Sequence, residues 1–204
     1  MSLRRSSVTL LLVAAGLLWA ATVGAMYRAV RRFETTPGRA ASAHSMWPDQ
    51  SRISRPDGAW TLLTLIHPHC SCSRATIEEL QTILEKGPPS VRSIVLVYRP
   101  SDFPPGWENT EVVQAAYHLP RTRVTIDVDA REARLFGGFT SGQTFLYDGD
   151  GNLRFSGGVT ALRGHAGLNR GVADVVQIAK TGVGKASHPV FGCAIVSREE
   201  GAHR

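Results

Sequence analysis

The stretch that most constrains the fold is His67-Pro68-His69-Cys70-Ser71-Cys72-Ser73-Arg74. It gathers two of the three cysteines and two of the seven histidines into eight residues. Before it lies Trp60-Thr61-Leu62-Leu63-Thr64-Leu65-Ile66, a short apolar run of the length of a buried strand. After it, Ile77, Leu80, Ile83 and Leu84 mark an apolar stripe at helical spacing within Ser73 to Lys86. The cysteines therefore stand where a strand stops and a helix starts. Unpaired N–H groups and the positive end of the helix dipole meet there, and both favour a thiolate. A cysteine so placed has a lowered pKa and serves as a nucleophile or a metal ligand.

The same reading extends down the chain. Val91 to Tyr98 is a second buried strand, and Pro100 to Asn109 is a loop. Thr110 caps a short helix, Glu111 to His118, which Pro120 stops. Val124 to Val128 is a third strand, and a short helix opening at Asp129 ends at Gly137-Gly138. Thr144 to Tyr147 and Leu153 to Phe155 form a hairpin around Asp148-Gly149-Asp150-Gly151-Asn152. A last helix runs from Leu168 to Lys180 with Leu168, Val172, Val175, Val176 and Ala179 inward. The order is β-α-β-α-β-α-β-β-α, an α/β domain over residues 58–181.

Charge excludes one class of function. The chain carries a formal +6, but Arg4, Arg5, Arg28, Arg31, Arg32 and Arg39 against Glu34 hold most of it within the first forty residues. The remaining domain is nearly neutral and offers no basic face to nucleic acid. Val8 to Tyr27 is twenty residues without a charge, enough to span a bilayer as a helix. Residues 1–27 are expected to be a membrane anchor, with cleavage as a signal peptide after Val23-Gly24-Ala25 as the alternative. Residues 28–57, rich in Arg, Ala, Ser, Pro and Gly, read as a flexible linker on which Trp47-Pro48 is the point that would pack on the domain. Residues 182–204 form a tail carrying Cys193. The N-terminal flank is a short cytoplasmic stub in this reading, which puts the domain on the extracytoplasmic, periplasmic side.

As an ensemble, the strand-Cys-helix junction, Val124-Thr125-Ile126-Asp127-Val128-Asp129 with Leu135-Phe136-Gly137, and the closing hairpin and helix resemble a thioredoxin-fold protein. The nearest group is the membrane-anchored, extracytoplasmic type, and the H-P-x-C-x-C-S site is similar to that of proteins called RedB-like. The resemblance implies an α/β fold with a central mixed sheet flanked by helices, and one N-terminal transmembrane helix. It also implies that Cys70 is the nucleophile and that Gln143 and Thr144 lie beside it in the substrate groove. Three departures stand out. Ser73 occupies the usual resolving position, Gln143 stands in place of a proline that keeps metal away, and Thr64 replaces a buried acid.

The chemistry expected of these residues is thiol–disulfide exchange with a partner protein's cysteine pair, with Cys70 and Cys72 as the catalytic pair. A C-x-C disulfide closes a small, strained ring and so favours an oxidant or isomerase over a strong reductant. Cys193 is a candidate resolving thiol or third ligand if the tail folds back, and an inert tail cysteine otherwise. No cofactor is required. The alternative is a copper-binding metallochaperone on the same fold, with Cys70, Cys72, His69 and His67 as soft and borderline donors. The bland reading of the histidines is a solvated His69 and a packed His67.

Overall fold

The computed structural model describes residues 2–196, with side chains from Val8 onward. The chain divides after Thr36 into two compact units. The first is α1 (Ser2–Thr35), within which Val8–Thr35 is long and apolar enough, by length and composition, to cross a membrane. Along it the Thr22 hydroxyl donates to the Leu18 carbonyl at 2.9 Å, so this polar group is satisfied inside the helix. The helix outruns the apolar segment: Arg28, Arg31 and Arg32, expected in the linker, are helical, with Arg31 3.6 Å from Glu34. Arginine is a good helix former, and Pro37 ends the run because the residue before a proline avoids the helical region.

The second unit is built on one five-stranded sheet. Its strands are β1 (Thr61–Ile66), β2 (Arg92–Arg99), β3 (Thr122–Val128), β4 (Gln143–Tyr147) and β5 (Leu153–Gly158), in the order β3-β2-β1-β4-β5. The first three are parallel, and β4 runs antiparallel to β1 and to β5. Central β1 is buried on both faces, which is why it reads as an unbroken apolar run rather than an alternation. Leu62 and Ile66 face a core shared with α2 (Ser71–Lys86), α3 (Glu111–Tyr117) and α5 (Arg170–Thr181), through Leu80, Val113 and Val175 among others. Leu63 and Leu65 face the other core, with Phe136, Phe145 and Tyr147.

Among the described residues, that second face has only one helix, α4 (Arg131–Leu135, five residues), to cover it. The Asp127 carboxylate accepts from the N–H groups of Glu132 and Ala133, both at 2.9 Å, and so starts α4 from the end of β3. One short helix cannot shield a whole sheet face, and two extended segments complete the cover. Residues 37–57, expected as a flexible linker, are instead a strap. Ser42 donates its N–H to the Gly137 carbonyl and Trp47 to that of Gly151, at 2.8 and 2.9 Å. The Trp47 ring packs edge-on against Phe136 and Tyr147, 4.8 and 5.1 Å between centroids. The Ser51 hydroxyl donates to Glu132 at 2.7 Å, and Ile53 is buried. Packing of the half-buried Trp47 ring and burial of Ile53 are the physical reason the segment does not behave as a tether.

The C-terminal segment docks in the same way. Gly158 and Ser156 of β5 donate to the carbonyls of His188 and Ala186, and Gly38 of the strap donates to Val190. Val190, Ile195 and Val196 are buried. A Cβ on Gly157 or Gly158 would lie 2.5 or 2.4 Å from tail backbone, so this glycine pair serves to admit the tail rather than to bend the chain. Leu168, expected on the inner face of the last helix, is fully exposed. The helix begins two residues later, where the Asn169 side chain accepts from the Val172 N–H at 2.9 Å.

Candidate functional site

Cys70 is the N-cap of α2, in an extended conformation at the end of β1. The junction is tied down by serines. The Ser73 hydroxyl donates to the His67 carbonyl at 2.8 Å and lies 2.9 Å from the Ser141 hydroxyl, which accepts from the His67 N–H at 2.9 Å. Ser73, at the expected resolving position, is therefore a brace that joins β1, α2 and the loop before β4. Thr64 is buried with its hydroxyl 3.1 Å from that of Thr144. A neutral pair thus occupies the place where the resemblance implied an acid.

The tail brings the third thiol to this point. Ser141 donates its N–H to the Cys193 carbonyl at 2.8 Å, Ile195 donates to Phe139, and Thr140 and Ala194 form an antiparallel bridge. Cys193 Sγ lies 2.6 Å from Cys70 Sγ. Gly192 is needed next to it, because a Cβ there would fall 1.9 Å from the Ser141 carbonyl oxygen. The Arg163 guanidinium donates to the Gly192 carbonyl at 2.6 Å and holds the tail over the cluster.

The three thiols share their protons unequally. The Cys70 pKa falls to about 4: the Cys72 S–H donates to its sulfur, burial opposes, and the Cys193 S–H with the N–H groups of Cys193 and Cys72 adds to the fall. Cys72 is pushed strongly up, first by that donation and then by burial. Cys193 is pushed up to about 11, first by burial and then by its own donation to Cys70. The Arg163 charge opposes the rise at both Cys72 and Cys193. The arrangement is one buried thiolate with two thiol donors.

On the other flank, the Pro100–Asn109 loop brings Trp107 against the histidines. The His69 ring is 4.4 Å from the Trp107 ring, with its Nε2 2.9 Å from the Trp107 carbonyl oxygen. His67 Nδ1 accepts from the His69 N–H at 3.2 Å, and burial lowers the His67 pKa. Among the described residues no group of three His, Cys, Asp or Glu side chains converges to hold a metal ion. The donor set named for copper does not close on one point: His69 is turned to Trp107, and the sulfurs to each other. Arg74 lies on the exposed helix face, 2.9 Å from Glu111.

Gln143 and Thr144, implied as substrate-groove residues, lie within the sheet at the start of β4. Both are buried, and Gln143 Nε2 donates to the Ser156 hydroxyl at 3.1 Å inside the sheet. The backbone of Phe139 to Ser141 is paired with the tail segment that carries Cys193. Arg163, Ser141 and Trp107 are the functional residues that sequence reasoning missed. Each stands alone in a loop, with no spacing or motif to mark it. Gly192 beside Cys193 was the one available signal of close packing.

No family model matches the chain, and no curated protein matches it. Solved structures do. An uncharacterised conserved protein from Geobacillus kaustophilus is 16% identical over 80% of this chain and 93% of its own, with a TM-score of 0.57. A hypothetical protein from Sinorhizobium meliloti 1021 is 19% identical over 78% and 93%, with a TM-score of 0.54. A thioredoxin-like protein in its oxidised form overlaps less well, 19% identical over 71% and 94%, with a TM-score of 0.41. At these identities the likeness is one of fold. The strand order β3-β2-β1-β4-β5, with helices on both faces and a cysteine capping the helix after β1, makes this a thioredoxin-fold protein.

Proposed function

We propose that the protein is a membrane-anchored thiol–disulfide oxidoreductase acting on the cysteine pair of a partner protein, with Cys70 and Cys193 as its redox pair and no cofactor. The observation that carries this reading is the approach of Cys193 Sγ to 2.6 Å from Cys70 Sγ at the N-terminus of α2. Two cysteines so placed need only a small movement to reach bonding distance. Cys72 takes a different role from the resolving thiol expected of it. Its raised pKa keeps the proton with which it stabilises Cys70. In this reading α1 stays in the membrane and the domain faces the extracytoplasmic side, where disulfides persist.

The test uses full-length protein in detergent. After oxidation, peptide mass mapping is expected to find a Cys70–Cys193 disulfide, and the protein should catalyse oxidation of a dithiol peptide or reduction of its disulfide form. Oxidation that yields no disulfide, together with one equivalent of Cu(I) bound per reduced chain, would replace the reading with the metallochaperone. The anchor is tested separately: alkaline phosphatase fused at about residue 45 should be active, and an inactive fusion would place the domain in the cytoplasm.

A further inference from the structure

The three sulfurs are not equally reachable. Cys70 and Cys72 are each 3% exposed, whereas Cys193 is exposed. The tail that carries Cys193 is built into the domain. Its backbone is paired with Phe139, Ser141, Ser156, Gly158 and Gly38, and its side chains Val190, Ile195 and Val196 are buried. Uncovering Cys70 for a bulky partner would break those bonds together and expose that apolar surface. At Cys193, by contrast, the neighbours Gly192 and Ala194 have nothing beyond Cβ to obstruct an approaching chain.

We propose that Cys193, rather than Cys70, is the sulfur that meets the partner, and that Cys70 is the buried leaving group. This rests on the redox-pair reading above. A partner thiolate attacks Cys193 Sγ of the Cys70–Cys193 disulfide. A partner–Cys193 disulfide forms, the Cys70–Cys193 bond breaks, and its electron pair stays on Cys70. The partner's second thiol then gives its proton to solvent and attacks the partner sulfur of the mixed disulfide. Cys193 leaves and takes up a proton. The partner dithiol has become a disulfide, and the two electrons have passed to the protein as a Cys70 thiolate and a Cys193 thiol.

The surroundings agree with this order. Leaving groups of lower pKa depart faster, and the Cys70 sulfur accepts hydrogen bonds from the Cys72 S–H and from two backbone N–H groups. The Arg163 charge beside Cys193 favours an incoming thiolate there. The partner is thereby specified by chemistry: a polypeptide with two reduced cysteines on a segment extended enough to reach Cys193 on the tail. The resulting direction is oxidation of the partner.

The experiment mixes oxidised full-length protein in detergent with an excess of a labelled peptide bearing one cysteine. Acid quenching within milliseconds and digestion without reductant then locate the label by mass. Because attack falls on the reachable sulfur, roughly nine in ten adducts are expected on Cys193. A label found mainly on Cys70 or Cys72 overturns the exchange order while the redox pair stands. If the oxidised starting protein contains no Cys70–Cys193 disulfide, the redox pair and the exchange order fall together.

Discussion

Cys70 and Cys193 reach the same point by opposite routes. Cys70 follows β1, a strand buried along its whole length, and caps a sixteen-residue helix, so its position follows from the packing of β1 and α2. Cys193 rides on an extended tail without regular structure, positioned by backbone bonds to Phe139, Ser141 and β5 and by Arg163 at Gly192. The first route gives a sulfur that is shielded and electrostatically stabilised. The second gives one that is exposed and dependent on many small fits. The contrast shows how a thioredoxin fold with a serine at the usual second position can recover a cysteine partner from outside the motif.

Removing Cys70 breaks the comparison outright. Cys70→Ser is expected to bring turnover of a dithiol peptide to background, since no other thiol has a stabilised thiolate. A variant that keeps turnover would show that Cys72 and Cys193 suffice. A smaller but still large effect should come from the tail. Gly192→Ala places a Cβ against the Ser141 carbonyl and shifts Cys193 by about an ångström, which should slow Cys70–Cys193 closure by about a hundredfold. The measurement is the rate of disulfide formation in a glutathione buffer, with an unchanged far-UV spectrum showing that the fold persists.

Cys72 sharpens the electrostatic half of the contrast. In Cys72→Ala the Cys70 thiolate loses a charge-assisted hydrogen bond, which should raise its pKa by about one to two units. Thiolate absorbance against pH reads this directly. The same change should make the site more reducing by about 30–60 mV, because the reduced form is the one destabilised. A thiolate titration midpoint that does not rise would remove Cys72 from its assigned role.

The stability of the reduced protein should depend on pH with a definite sign. The folded Cys70 pKa, about 4, lies far below that of an unfolded thiol, about 8.5. Its contribution is therefore complete above about pH 8.5 and is lost as pH falls through 4. The melting-temperature difference between reduced wild type and reduced Cys70→Ser should shrink accordingly on acidification; a difference that grows would reverse the assignment. The least effect is expected at the far end of the tail. His188 Nε2 lies 2.6 Å from the Asp174 carboxylate, and His188→Ala should cost about 1 kcal/mol in denaturant unfolding.

Much of the molecule was legible in the residues themselves. Apolar runs and helical stripes are local patterns, so β1, α2, β2, the α3 cap at Thr110 and the hairpin at Asp148 to Asn152 could be read from spacing. The placement of Cys70 before a helix carried its chemistry with it, because the dipole and free N–H groups belong to any helix start. Leu168 misled because periodicity gives a helix face but not its first residue, which Asn169 decided by capping.

The sequence by itself determined the α/β order, the apolar N-terminal helix and the reactive position of Cys70. Only the tertiary structure decided that residues 37–57 and the tail are part of the domain. Their docking compensates for a sheet face that five-residue α4 leaves uncovered, and no local pattern announces that shortage. For the same reason Arg163 and Ser141 came into the site unheralded, and Cys193, a candidate resolving thiol in the sequence, reached Cys70 only through the docked tail. Their chemistry depends on backbone pairs and close approaches between segments far apart in the chain, and such contacts exist only once the fold has formed.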